Sequence, residues 1–194
     1  MPIRLGSGFL IFPAVFLLQD IVTEVYGYSC SRHMTWLGIF ALTISIMCIK
    51  LTLPSQSFSD QPMQQAYYAI FSTLPFHTFA SIVGLAVSCL VNDYILSKSK
   101  VAFSGKAFAL RSLIITFIGE FIYQIVAYSI AWLHTFTSPK HFILFFFVCF
   151  AYKIIFYLFL LPTSSFTVHT IKRITNIDIY DESTKFAPLR FKIL

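Results

Sequence analysis

Between Gly8 and Val168 the chain is a succession of long apolar runs separated by short polar connections. A helix needs about 20 apolar residues to cross the hydrocarbon core of a bilayer. Lipid offers no partners to backbone N–H and C=O groups, so a run of this kind has to satisfy them as a helix. Five spans are predicted: Gly8 to Val25, Met34 to Leu51, Phe76 to Leu96, Ala107 to Leu133 and His141 to Val168. Pro54 and the polar stretch SQSFSDQPMQQ close the second. Pro75 divides the residues from Ala66 to Leu96 into a short AYYAIFSTL piece and a full span, so a short re-entrant or interfacial helix is expected at 61–74. The expected fold is all-α, a polytopic transmembrane helix bundle. Residues 1–173 form its single domain and 174–194 a cytoplasmic C-terminal tail.

Composition agrees and narrows the function classes. Hydrophobic residues make up 57% of the chain and charged ones 11%, with a mean hydropathy of +0.77, whereas soluble domains carry about a quarter charged residues. The net charge of +6 is spread over short connections, the pattern of loops at an anionic membrane face and not of a nucleic-acid surface. Cys48, Cys89 and Cys149 sit in apolar stretches and Cys30 in a short polar turn, with no CxxC pair and no His at metal-ligand spacing, so they read as small buried hydrophobes. No metal or cofactor is expected. The HExxH and GxSxG patterns of metallo- and serine hydrolases are missing from the sequence, as is a Walker A loop, so neither an enzyme nor an ATPase is expected. Arg4 before an apolar run resembles the start of a signal peptide, but Asp20 and Glu24 occupy the place of a small-residue cleavage site. The first span is expected to be retained.

Orientation follows from the basic residues. Arg32, then Lys98, Lys100 and Lys106, then Lys172, Arg173, Lys185, Arg190 and Lys192 fall on one side of five alternating spans, against Arg4, Lys50 and Lys140 on the other. The first group is expected to be cytoplasmic. Met1 then lies outside, which implies either a further helix ahead of it in a six-span protein or a protein that dispenses with that helix.

Polar residues inside the spans share faces. His77, Ser81, Gly84, Ser88 and Asn92 recur at helical spacing, as do Ser112, Thr116, Glu120, Tyr123 and Gln124 with Gly119 beside them, and Cys149, Lys153 and Tyr157. The Ser and Gly positions read as helix-packing contacts. Ionisable groups are different, because each is expensive alone in lipid and marks a partner or a polar cavity. Glu120 and Lys153 can pair with each other. Asp20, Glu24 and Glu120 against Arg111 and Lys153 leave one carboxylate in excess, so either one is protonated or a cationic or donor-rich ligand visits. Tyr26, Tyr123, Tyr128 and Tyr157 could sandwich a flat ring.

The run FPAVFLLQDIVTEVYGYSCSRHMTWLG, from Phe12 to Gly38, closely resembles the signature of the queuosine precursor transporter family, also called the VUT family. The similarity extends over roughly Gly8 to Arg173 and is densest in DIVTEVYGY, from Asp20 to Tyr28, with Arg32, Trp36 and Gly38 continuing it. Arg111 with Ser112, Lys153 and Pro162 are further, single matches. Gln19 stands where the family more often has threonine. GEFIYQ, from Gly119 to Gln124, stands where many members carry an aspartate, so the acid here occupies a different helical position.

The resemblance implies a six-helix bacterial inner-membrane protein, its first helix not represented ahead of Gly6, that imports 7-cyano-7-deazaguanine or its aminomethyl relative for tRNA modification. On that basis Glu24, Glu120, Lys153, Asp20, Tyr123, Gln124, Arg111 and Asn92 are candidate substrate-binding residues. The amino and imino hydrogens of the purine-like ring would lie on Glu24 or Glu120, with a carbonyl or nitrile near Lys153. Asp20 would either take part or hold the helix turn, paired with Arg32 or Arg111. The expected partners are a small 7-deazapurine and the lipid bilayer, with transport passive or proton-coupled. A homo-oligomer or a separate energising module stays open, as does the alternative of a substrate-binding subunit in an energy-coupling-factor type importer.

Overall fold

The computed structural model describes residues 8–53, 61–133, 136, 138–182, 184, 186 and 187. Five helices follow one another: α1 (Gly8–Thr52), α2 (Gln61–Phe71), α3 (Leu74–Ala102), α4 (Phe108–Trp132) and α5 (Pro139–Thr175). Four stretches, Phe12–Thr52, Gln61–Ala102, Phe108–Trp132 and Pro139–Thr175, are long and apolar enough to cross a membrane. No strand occurs among the described residues.

The first two predicted spans are not separated by a loop. Helical structure continues through residues 26–33, and within α1 Gly27 alone leaves helical backbone, at φ 80° and ψ 175°. That one residue folds α1 back on itself. Gln19 Nε2 donates to Thr35 Oγ1 at 2.8 Å and the Thr23 and Ser31 hydroxyl groups hydrogen-bond to each other at 2.8 Å, whereas residues 16 apart in a straight helix stand about 24 Å apart at 1.5 Å per residue. The two pairs are symmetric about Gly27. Ser31, Arg32 and His33 make this stretch look like a loop in sequence, but their polar groups are met by Thr23, by the carbonyl of Ala187 and by the carbonyl of Ser29, so helix persists.

The second boundary also moves. α2 is an exposed amphipathic helix with no buried residue, and the break before α3 falls at Ser72 and Thr73, not at Pro75. Pro75 lies in the first turn of α3, where its missing N–H leaves no bond unmade. Pro54 and residues 55–60 lie outside the described residues.

Polar and apolar residues are distributed as lipid requires. Leu37, Phe40, Ile44, Met47 and Leu51 point outward along the second arm of α1, while Asp20, Glu24, Asn92, Asp93, Arg111, Glu120, Gln124 and Lys153 are buried between helices. α3 and α4 approach closely at two glycines. A Cβ on Gly84 would stand 2.8 Å from the Cβ of Ala127, and one on Gly119 would stand 2.9 Å from Asn92 Oδ1.

α5 ends at Asn176, whose left-handed backbone (φ 53°) returns its N–H to the Lys172 carbonyl. The segment that follows crosses the end of the bundle at the Gly27 turn. Ile179 N donates to Val25 O at 3.1 Å, and Asp181 Oδ2 accepts from Tyr28 N at 2.8 Å and from Ser97 Oγ at 2.6 Å. A Cβ on Gly27 would meet that same carboxylate at 3.0 Å and Ile179 Cγ2 at 3.1 Å. Gly27 lies in a backbone region essentially restricted to glycine, which strains other residues by about 1–3 kcal/mol. Gly27→Ala is therefore expected to lower the midpoint of thermal unfolding in detergent, and Gly38→Ala, with nothing within 4 Å of its Cβ position, to leave it unchanged.

Candidate functional site

Asp20 occupies the centre of the bundle. One carboxylate oxygen accepts from Ser112 Oγ at 2.5 Å, Thr116 Oγ1 at 2.7 Å and Tyr157 OH at 2.7 Å, and the other from Asn92 Nδ2 at 2.7 Å. These donors come from α4, α5 and α3, so the helical spacings of Asn92, of Ser112 with Thr116, and of Tyr157 converge on one group. Neither Arg32 nor Arg111, the partners expected for Asp20 from the sequence, reaches it. Arg32 donates to the Ala187 carbonyl and lies 5.4 Å from the Tyr28 ring, while Arg111 is engaged by Glu24. Hydroxyl groups on the facing helices reach Asp20 first.

One turn along α4 from Thr116, Glu120 forms a buried ion pair with Lys153 at 2.9 Å. The Lys153 ammonium is also ringed by aromatic faces, 4.3 Å from the Phe12 centroid, 4.5 Å from Tyr123 and 5.5 Å from Tyr128. Such contacts strengthen when desolvated. Lys153 occupies Glu120 Oε2 only. Among the described residues Glu120 Oε1, Gln124 Oε1, Asn92 Oδ1 and Ser88 Oγ, all buried, find no hydrogen-bond partner. Gln124 directs its Nε2 to the Phe146 carbonyl, and Tyr123 OH donates to Ser81 Oγ at 3.3 Å.

Glu24 is a different kind of site. Its carboxylate receives Arg111 at 3.0 Å and Lys172 at 3.1 Å, within a network at the Gly27 end in which Asp178 bridges Lys172 at 2.9 Å and Lys100 at 2.5 Å. Lys100 also donates to the Glu24 and Ile179 carbonyls. Partial burial works to raise the Asp178 pKa, but the hydrogen bonds from Lys100 and Lys172 outweigh it and hold the carboxyl below its ordinary value. Of the eight residues singled out in sequence, the structure thus brings Asp20, Asn92, Glu120, Tyr123, Gln124 and Lys153 into the middle of the bundle, and places Glu24 and Arg111 together at one end.

Asp93 was not anticipated. It is fully buried and accepts from Gln19 Nε2 at 3.0 and 2.9 Å and from Thr23 Oγ1 at 3.1 Å. The signal was present, since Asp93 is an acid inside an apolar run next to Asn92, but it lies off the His77–Asn92 stripe.

A cavity of about 820 Å³ opens between the two arms of α1 and α3, with Phe12, Gln19, Thr35, Ser81 and Cys89 in its wall. Phe12 and Tyr123, whose ring centroids are 4.4 Å apart, stand between it and the Glu120–Lys153 pair. Gln19 stands between it and Asp93. The lining reaches Ala41, Leu42 and His77, away from the Gly27 end, so the cavity lies toward the side opposite the C-terminal segment. Among the described residues no group of His, Cys, Asp and Glu is placed to hold a metal ion.

No curated protein and no solved structure matches the chain. The model of the family described as "Putative vitamin uptake transporter" matches residues 6–167. Asp20, Glu24, Asp93, Arg111, Glu120 and Lys153 all fall within that region, whereas Lys172, Asp178 and Asp181 lie beyond it. The chain belongs to this vitamin uptake transporter (VUT) family of multi-pass membrane proteins.

Proposed function

We propose that the protein is a bacterial inner-membrane importer of 7-deazaguanine precursors of queuosine, a secondary or facilitated carrier of 7-cyano-7-deazaguanine and its aminomethyl relative. The observation that carries the reading is Glu120 Oε1, a carboxylate oxygen buried without a hydrogen-bond partner among the described residues, on the acid whose lysine partner is ringed by Phe12 and Tyr123. A buried acceptor left unmet costs about 1–3 kcal/mol. A ligand that supplies N–H groups recovers that energy, and a guanine-like edge presents two adjacent N–H donors to a carboxylate. Stacking of a base on an aromatic face adds about 1–3 kcal/mol. The Phe12–Gly38 run supports the same substrate class by its resemblance to the queuosine precursor transporters.

Topology supports import. On this reading α1 crosses twice through its turn at Gly27, and Arg32, Lys98, Lys100, Lys106, Lys172 and Arg173 share one side, which the positive-inside rule makes cytoplasmic. The cavity between α1 and α3 then lies toward the outside, and the C-terminal segment covers the inner end. Glu24 on this reading is a structural member of the inner ion network, and ligand recognition falls to Glu120, Gln124 and Asn92.

In cells unable to synthesise the precursor, Glu120→Gln is expected to reduce uptake of labelled 7-cyano-7-deazaguanine at least about tenfold, a loss of ~1.4 kcal/mol or more, and to abolish queuosine in tRNA. Unchanged queuosine at equal expression overturns the assignment. Stability separates the roles within the pair. Lys153→Met strands a buried carboxylate and is expected to destabilise the protein by about 3–5 kcal/mol. The double variant Glu120→Gln with Lys153→Met is expected to recover most of that stability in detergent denaturation without recovering uptake.

A further inference from the structure

Three hydroxyl groups and one carboxylate oxygen meet at Asp20, and their contacts can be counted against their hydrogens. Asp20 Oδ2 contacts Ser112 Oγ, Thr116 Oγ1 and Tyr157 OH, and Ser112 Oγ and Tyr157 OH contact each other at 2.5 Å. Four O···O contacts need four hydrogens, because each hydrogen bond contains one. The three hydroxyls supply three. The Asn92 amide brings its own hydrogen to the other carboxylate oxygen and does not change the count.

We propose that Asp20 supplies the fourth hydrogen as a carboxylic acid and is the site at which a transported proton is bound. No described cation contacts it. On α1, Glu24 lies one turn away but is held by Arg111 and Lys172. On α3, Asp93 is a further buried carboxyl group beside Asn92, itself held by Gln19 and Thr23. On α4, Arg111 and Glu120 flank Ser112 and Thr116 but are engaged by Glu24 and Lys153. On α5, Lys153 lies one turn from Tyr157 and faces Glu120. Asp20 thus has no local counter-charge, and neutralisation by a proton removes the desolvation cost of an isolated carboxylate.

The step is simple to balance. Outside, a hydronium ion gives up one O–H bond as a new O–H bond forms at Oδ2, and a water molecule is released. On the inside the bond breaks, the proton returns to water and the carboxylate is restored, with no change in oxidation state. Loss of that proton leaves three hydrogens for four contacts, so one tie between α1, α4 and α5 has to open. Protonation and helix packing are coupled through this cluster. A neutral ligand carried with one proton moves one positive charge per cycle.

This inference rests on the importer reading, and two measurements keep their failures apart. The infrared spectrum of purified protein at neutral pH is expected to contain the carbonyl stretch of a protonated carboxyl group, lost in Asp20→Asn and kept in Asp93→Asn. Absence of that band from the wild-type protein, or its persistence in Asp20→Asn, overturns the proposal whether or not any ligand is carried. In proteoliposomes, Asp20→Asn is expected to lose the accumulation of labelled 7-cyano-7-deazaguanine that an inward proton gradient drives in the wild-type protein. Gradient-driven accumulation by Asp20→Asn at the wild-type level overturns the proposal. Should that variant not fold, net uptake of 7-cyano-7-deazaguanine by the wild-type protein without any accompanying proton movement overturns it equally. Wild-type vesicles that exchange no 7-deazapurine overturn the importer reading, and the infrared band still decides the protonation of Asp20.

Discussion

A carboxylate cannot be placed in the interior of a membrane bundle without the surrounding helices being arranged around it, and Asp20 sets that arrangement here. It lies on the first arm of α1 and draws Asn92 from α3, Ser112 and Thr116 from α4 and Tyr157 from α5. Lipid gives apolar helices little reason to prefer one another over the bilayer, so polar contacts and close packing at small residues decide which faces meet. Gly119 lets Asn92 pass close to α4, and without that approach its amide would not reach Asp20. The polar stripes of α3, α4 and α5 are therefore consequences of one buried group as much as they are linings of a site.

Charge is divided between two levels of the bundle, and the division explains why two similar-looking acids differ. Glu24 stands one turn beyond Asp20, next to the Gly27 turn, where Arg111 at the start of α4 and Lys172 near the end of α5 can reach it. Its charge is matched by cations whose long side chains extend from helix ends. Glu120 lies deeper and has one cation, Lys153, which is shared with three aromatic faces. One oxygen of Glu120 is consequently left without a donor. Excess acceptor capacity exists at the level where no further cation can snorkel in from an end.

Much of this was legible in sequence, for physical reasons that also mark where reading stopped. Runs such as Ala107 to Leu133 identify themselves because lipid tolerates little else, and the spacing of Ser112, Thr116 and Glu120 fixes a helical face by the 3.6-residue period. The turn at Gly27 was not legible as a single residue. Helical hydrogen bonding resumes on both sides of it, and the polar cluster from Ser29 to His33 imitates a loop. Its distinguishing feature is a left-handed backbone angle that many glycines never adopt. Asp93 escaped because the stripe through Asn92 drew attention to the neighbouring face, and its partner Gln19 lies 74 residues away. The segment after α5 escaped because Asp178 and Asp181 acquire meaning only against Lys100, Ser97 and the backbone of Tyr28, contacts that no local pattern encodes. Residues 188–194 lie outside the described structure.

The position of Phe12 connects the two halves of the site. Its ring lies 4.4 Å from Tyr123 and 4.3 Å from the Lys153 ammonium, so it separates the cavity from the unmet oxygen of Glu120 while contributing to the cage that holds Lys153. A ligand arriving through the cavity meets this aromatic pair before it meets the carboxylate. Passage requires Phe12 to move, and movement of Phe12 removes one face of the Lys153 cage, weakening the lysine's hold just as a new N–H donor reaches Glu120. Phe12 belongs to the same arm of α1 as Asp20, two turns away, and that arm is tied to α4 and α5 through the hydroxyl cluster. Phe12 and Asp20 thereby lie on one helical arm, which connects the proposed ligand and proton sites along α1 without direct contact between them.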